Sequence, residues 1–251
     1  MVEYRILEAG YFYADGGAMF GAIPKRAWQR KCHALEDNTC LMSMSCVLLW
    51  GEGRVIVLDT GVGTRGLKSL SYYRFFNLQS ISEMLRPFGF EPADVTDVVL
   101  SHLHFDHCGG CTYLDAANDL QISLPNAQHW VSERQWASYC APNRLEKDAF
   151  RPDDMMPIYN KGLLRLIEGD CSLFEGLDLQ LYDGHSLGQI VSFFNTKEGM
   201  YVYPSDVIPT KAHLSVDWIS AYDIEPLASV EAKIKLLQEI TDRAAKCVFY
   251  H

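Results

Sequence analysis

Ser101-His102-Leu103-His104-Phe105-Asp106-His107 decides how the rest of this chain is read. Four potential metal ligands lie between His102 and His107. Imidazole nitrogen and carboxylate oxygen are the donors that borderline cations such as zinc take. The stretch follows Val95-Thr96-Asp97-Val98-Val99-Leu100, which reads as a buried strand, and precedes Gly109-Gly110, where a strand end would turn. His102 and His104 are two residues apart, so an extended backbone projects them to the same side. Asp106 and His107 need a bend, and so face a second point. One short loop can therefore serve two neighbouring cations. Without metal, imidazoles at this density would crowd polar groups that each need a partner. A metal site is predicted here.

The bulk numbers bound the rest. A chain of 251 residues suits one large domain or two small ones, and a single domain over residues 1–251 is expected. Apolar residues make up 48%, enough for a core without disulfides. The net charge is −10 with no basic block, which argues against nucleic acid as a partner, because neutralising phosphates takes clustered Lys and Arg. No apolar run has the length of a membrane span, and Met1-Val2-Glu3-Tyr4-Arg5 lacks the basic-then-apolar pattern of a signal peptide. A cytoplasmic location and no membrane partner are expected. The eight cysteines are scattered and read as free thiols. Cys108-Gly109-Gly110-Cys111 is the one C-x-x-C; with no second pair it reads as packed thiols beside the site loop.

Upstream of the loop, Tyr4 to Ala9 reads as a strand and Gly10 to Phe20 as a Gly- and aromatic-rich loop suited to the apolar wall of a pocket. Leu41–Trp50 and Arg54–Asp59 read as a hairpin across Gly51-Glu52-Gly53, with Asp59 placed to orient a ligand histidine. Ser80 is expected to cap a helix through Leu85. Downstream, His129-Trp130-Val131 reads as a strand with His129 structural, and Ser132 as an N-cap with Gln135 in the box position. Residues 141–169, with three prolines, read as an insertion over the site or a long connection. Leu177–Tyr182 leads into Asp183-Gly184-His185, and the hairpin Gln189–Asn195/Met200–Tyr203 delivers Asp206. Leu227 to Lys246 reads as an amphipathic helix with Val230, Ile234, Leu237 and Ile240 on its buried stripe. A last strand from Cys247 ends at His251. These are two β-rich units with helices outside. No Gly-x-Ser-x-Gly elbow, dinucleotide fingerprint or P-loop occurs.

His102-x-His104-x-Asp106-His107 resembles the signature of the metallo-β-lactamase-fold hydrolase superfamily. Leu58-Asp59-Thr60-Gly61, Asp183-Gly184-His185-Ser186, Ser205-Asp206 and Tyr250-His251 are similar to its other motifs, in the same order. The resemblance implies an α+β fold, a four-layer αββα sandwich of two mixed β-sheets with helices on the outer faces. It implies one metal held by His102, His104 and His185, a second held by Asp106, His107 and His251, and Asp206 bridging them. The implied cofactors are two divalent metal ions, zinc foremost, with iron, manganese or cobalt as alternatives. The implied activity is a dinuclear metal-dependent hydrolase using a metal-bridging hydroxide on a small ester, lactone or related substrate, with Asp106 also a proton shuttle.

The His-rich set resembles the lactonase and organophosphate-hydrolase branches. Val207-Ile208-Pro209-Thr210 lacks the tyrosine that quorum-quenching lactonases carry after the bridging aspartate, so the resemblance does not extend to acyl-homoserine-lactone specificity. Three alternatives share the motif: a mononuclear iron enzyme of the persulfide-dioxygenase kind, a glyoxalase-II-like thioesterase, and a non-catalytic metal-binding protein. His213, seven residues beyond Asp206, is expected to bind or protonate substrate, and Trp218, Tyr222 and Asp223 to line the pocket. Expected partners are a small-molecule substrate and, at most, a second copy of the chain in a homodimer.

Overall fold

Apolar strands alternate with polar turns along the chain, and the resulting sheets stack face to face. The structure is a computed structural model that describes all residues, 1–251. In chain order the strands are β1 (Glu3–Asp15), β2 (Thr39–Gly51), β3 (Arg54–Leu58), β4 (Asp97–Val99), a small hairpin β5 (Thr112–Leu114) and β6 (Leu120–Ile122), β7 (Gln128–Ser132), β8 (Leu164–Ile167), β9 (Cys171–Phe174), β10 (Leu177–Tyr182), β11 (Gln189–Thr196), β12 (Gly199–Tyr203) and β13 (Lys246–Cys247). The helices are α1 (Gly16–Phe20), α2 (Lys25–Trp28), α3 (Ile81–Leu85), α4 (Phe105–Cys108), α5 (Glu133–Cys140), α6 (Pro152–Asn160) and α7 (Pro226–Asp242).

One sheet runs β1-β2-β3-β4-β7-β8 and the other β13-β12-β11-β10-β9. Both are mixed: β1, β2 and β3 pair antiparallel, β3, β4, β7 and β8 parallel, and in the second sheet only β12–β13 is parallel. Between the sheets lies a hydrophobic cluster of 48 residues drawn from both. A second cluster, with Val191, Phe193, Val202, Ala232 and Leu236, seats α7 on the outer face of the second sheet. This is the αββα sandwich, with helices on the outer faces. Two backbone bonds stitch the sheets together beside the ligand loops, Ile190 N–H to Ser101 O at 2.7 Å and Ser45 N–H to Tyr250 O at 2.9 Å. No helix is long and apolar enough to cross a membrane.

Several boundaries differ from the sequence reading. The segment expected as a loop after Ala9 continues β1 to Asp15, through a bulge between Glu8 and Gly10, and then forms α1. Past the bulge β1 stays paired to β2, with Phe12 against His251 and Tyr11 and Tyr13 stacked on Phe76. Ser80 caps α3 with a reciprocal box to Glu83. Ser132 caps α5 through Gln135 N–H, but the Gln135 side chain turns away to Ser186. Residues 141–169, read as an insertion over the site or a long connection, hold α6 and the edge strand β8.

The face of α7 is also rotated from expectation. Ser229, Ala232, Lys233 and Leu236 are its buried residues, while Ile234 is 54% exposed. The cause is the turn at Gly184, where a Cβ would lie 2.6 Å from the Ser229 backbone. So close an approach needs a small residue on the helix, which puts Ser229 rather than Val230 on the line of contact. Gly184 also has φ +135°, outside the range that L side chains favour. Gly184→Ala should therefore destabilise the protein by about 2–4 kcal/mol in urea unfolding, from backbone strain plus overpacking. Unchanged stability would mean that α7 does not sit as described.

Candidate metal centre

The ligand-type residues sit at the ends of strands. His102 and His104 follow β4, His185 follows β10, Asp206 follows β12, and His251 ends the segment after β13. Asp106 and His107 lie in α4, the bend that the loop needed. The side chains form three overlapping groups whose donor atoms lie within 4.8 Å of one another: His102, His104 and His185; His102, His107 and Asp206; Asp106, His107 and His251. His104 Nδ1 is 3.0 Å from His102 Nε2 and 3.1 Å from His185 Nε2. Asp206 divides its oxygens: Oδ2 is 3.4 Å from His185 Nε2, and Oδ1 is 3.5 Å from His107 Nε2 and 3.6 Å from His251 Nε2. Asp106 Oδ2 is 3.7 Å from His251 Nε2.

Four of the five histidines have the opposite nitrogen hydrogen-bonded from behind. His107 Nδ1–H donates to Asp59 at 2.8 Å, His185 Nδ1–H to Asp223 at 3.0 Å, and His251 Nδ1–H to Ser43 O at 2.8 Å. Ser101 Oγ–H donates to Asp59 at 2.7 Å and accepts from His102 Nδ1–H at 3.1 Å. His104 Nε2 faces Glu146 at 3.4 Å. Such partners fix the tautomer and the ring plane. In neutral rings these partners would leave His102 Nε2 and His185 Nε2 as acceptors, both aimed at the same nitrogen of His104. Facing lone pairs at about 3 Å repel unless a cation lies among them. Metal–nitrogen bonds of about 2.0–2.1 Å in a tetrahedron give nitrogen–nitrogen edges of about 3.3–3.4 Å, close to these spacings. On the other side, His107 Nε2 and Asp206 Oδ1 are buried with no hydrogen-bond partner. The donor set fits a pair of divalent cations.

The electrostatics of the donors is divided: burial opposes charge on His107 and His185, yet the carboxylates around them outweigh it and raise both, whereas His102 and His104 go the other way. Burial pushes His102 well below the ordinary imidazole range, and His107, His104 and His185 add to the effect. Burial likewise lowers His104. Burial opposes charge on Asp206, yet His107 and His251 outweigh it and hold the carboxyl well below its usual range. His102 and His104 thus stay neutral donors while Asp206 stays anionic.

Asp59 is the hub behind the loop. It is fully buried at φ +56° and accepts from Ser101 N–H at 2.7 Å, Ser101 Oγ–H at 2.7 Å, His107 Nδ1–H and Tyr203 Oη–H at 2.8 Å. Thr60 N–H then donates to His107 O at 2.8 Å, tying the turn after β3 to α4. Tyr250 Oη–H donates to Asp106 O.

Residues 42–251 match the family described as the metallo-beta-lactamase superfamily. The chain belongs to that superfamily. It is a metal-dependent hydrolase of this family, and the later motifs fall inside the match. It is similar to the N-acyl homoserine lactonase AiiA of Bacillus thuringiensis subsp. kurstaki, 25% identical over 82% of this chain and 79% of the relative. A solved probable metal-dependent hydrolase from Staphylococcus aureus superposes with TM-score 0.92 at 28% identity, covering 100% of this chain and 89% of that one. AidC, described as a dizinc quorum-quenching lactonase, has TM-score 0.76 at 22% identity over 100% of this chain and 87% of its own, a likeness of fold.

Above the superfamily's histidines opens a cavity of about 280 Å³. Phe12, Ala14 and Met19 form part of its wall, so the Gly- and aromatic-rich N-terminal segment lies where a pocket wall was expected. Tyr222 lines it; Asp223 instead stands behind His185, and Trp218 lies outside, under Phe20. His213 is corrected in placement. It is buried, donates from one nitrogen to Met19 O at 2.8 Å, pairs the other with Thr210 Oγ at 2.8 Å, and stacks on Phe20. With both nitrogens occupied away from the cavity, it fixes α1 to the segment after Asp206. Glu146, Tyr72 and Tyr73 line the cavity and went unread; they sit in segments whose sequence carries no periodic signal. Cys108 and Cys111 are buried free thiols, the first against Leu103 O at 3.3 Å and the second near Thr60 Oγ at 3.6 Å.

Two outcomes follow from these contacts. Asp223→Ala should weaken one of two bound metal equivalents by about 10–100-fold in competition with a chelator, because His185 loses the partner that orients it. Unchanged affinity at both sites would remove that role. His129, buried in β7 with Nδ1 against Ala127 O, is driven by burial to about 4 from 6.5. The unfolded chain therefore takes up this proton first as pH falls. Its stabilising contribution is complete above pH 6.5 and lost as pH falls to about 4. Metal-free His129→Gln should show a shallower fall of unfolding free energy over that window than the wild type; equal slopes would contradict it.

Proposed function

We propose that the protein is a dinuclear hydrolase of a small ester, lactone or related acyl substrate. The observation that carries this reading is Asp206, whose two oxygens face separate donor nests 3.4–3.6 Å away. One nest is His102, His104 and His185; the other is Asp106, His107 and His251. A mononuclear iron oxygenase would need only one of them. The lactonase activity named for AiiA and the dizinc centre named for AidC support the same reading.

Divalent cations bound there supply Lewis acidity toward a substrate carbonyl and lower the pKa of a water to about 7. The chain does the rest. The donors leave the cavity side of each nest open, so a carbonyl can reach it. Phe12, Tyr73 and Phe105 wall the cavity with apolar surface and limit bulk water around the acyl carbon. Asp106 lines the cavity floor, its backbone held by Tyr250, and its carboxylate is placed to carry a proton to the departing oxygen. Ser220, the serine that lines the cavity, spends its hydroxyl on Ala18 O at 3.0 Å and has no base beside it, so the acyl–oxygen bond is cut by water without a covalent enzyme intermediate.

The test is a metal-counted preparation assayed on lactones, carboxylesters, thioesters and phosphotriesters. The expected result is two metal equivalents per chain and turnover of esters or lactones that is lost with chelator and returns with metal. Asp206→Asn should cut kcat/KM by about a thousandfold or more, since several kcal/mol of charge stabilisation depend on both cations. Full metal loading with no turnover of any ester, lactone or thioester would overturn the reading.

A further inference from the structure

The cavity above the metal-binding side chains has a one-sided charge pattern. Among its lining residues there is no lysine and no arginine. Arg144 and Lys147 flank the lining residues Leu145, Glu146 and Asp148 but do not reach the cavity. Two of the lining carboxylates belong to the proposed metal set, Asp106 and Asp206; two do not, Glu146 and Asp148. Glu146 is 2% exposed and held by Ser186 Oγ–H at 3.0 Å, beside His104. Asp148 stands exposed at the rim with no ion-pair partner. Five aromatic rings, those of Phe12, Tyr72, Tyr73, Phe105 and Tyr222, share the rest of the wall with small and aliphatic residues. Tyr72 is 65% exposed at the mouth, its ring 4.3 Å from that of Tyr73.

From this arrangement we infer the charge of the substrate. The site selects ester or lactone substrates whose portion toward the mouth is cationic, accepts neutral ones less well, and discriminates against anionic ones. The inference rests on the hydrolase reading above and adds the substrate class. No lysine or arginine lines the cavity, so an anionic tail finds no cationic side chain to pair with and meets the carboxylates of Glu146 and Asp148 instead. A cationic tail finds aromatic faces, which attract cations through their quadrupoles, and a free carboxylate at the rim. The chain's net charge of −10 acts in the same direction at long range, raising the encounter rate of cations and lowering that of anions.

The experiment uses three aryl esters of equal chain length ending in trimethylammonium, tert-butyl or carboxylate. The first two are nearly isosteric and differ in charge. The corresponding unreactive amides serve as binding probes by calorimetry on the metal-loaded protein. At low ionic strength kcat/KM should fall about tenfold from ammonium to tert-butyl, and about tenfold again to carboxylate. The amides should bind in the same order. Added salt should compress both ratios, as charge–charge effects require. Asp148→Lys, checked for folding and metal content, should shrink the ammonium-to-tert-butyl ratio about tenfold. If the amides bind in this order while no ester is cleaved, the charge inference stands and the hydrolase reading falls. If the carboxylate compound binds or reacts as well as the ammonium one, or the ratios ignore both salt and Asp148→Lys, the inference is overturned.

Discussion

Imidazole nitrogens that face one another without a proton between them are the constraint on which the rest of this structure depends. His102 Nε2 and His185 Nε2 both point at His104 Nδ1, from 3.0 and 3.1 Å. Nothing in the two rings themselves favours that approach. It persists because each ring is held from behind, His102 by Ser101 and His185 by Asp223. Ser101 is in turn fixed by Asp59, which reaches the loop from the end of the neighbouring strand β3. A residue at φ +56° without a glycine's freedom is a local cost, and four hydrogen bonds to its carboxylate offset it. The sandwich thus holds, in its polar layer, an arrangement of facing ring nitrogens that a bound cation would relieve.

The layering explains why the arrangement is rigid. Ligands come from both sheets, and the sheets are bonded to each other beside the ligand loops, through Ser101 and through Tyr250. The core between them draws residues from every long strand, so neither sheet shifts without disturbing the packing of the other. The donors sit just past strand ends and in α4, while the cavity wall joins Phe12 of β1 to less regular segments around Tyr73, Leu145 and Tyr222. That division separates the part of the molecule that holds charge from the part that chooses a substrate.

The donor set was legible in the sequence because its chemistry is local. His102, His104, Asp106 and His107 declare themselves by density alone, while His185, Asp206 and His251 stand out only through the resemblance of their motifs, in order, to those of the superfamily. What was hidden has no periodicity to betray it. Glu146 reaches His104 from a polar stretch that reads as connection. His213 looked free because the carbonyl of Met19 that occupies it lies 194 residues away. The buried line of α7 was misread by one position, since hydrophobicity ranks Ile234 above Ser229, whereas the close approach at Gly184 admits only a small side chain. Chain-distant sterics and side-chain pairing, rather than composition, decided each of these.

The central claim is that two cations share Asp206 between distinct nests. An anomalous-difference map from crystals of metal-loaded protein tests it most directly. The account predicts two peaks per chain, one enclosed by His102, His104 and His185, the other by Asp106, His107 and His251, with Asp206 touching both. A single peak under full loading, or a second peak remote from Asp206, would contradict it.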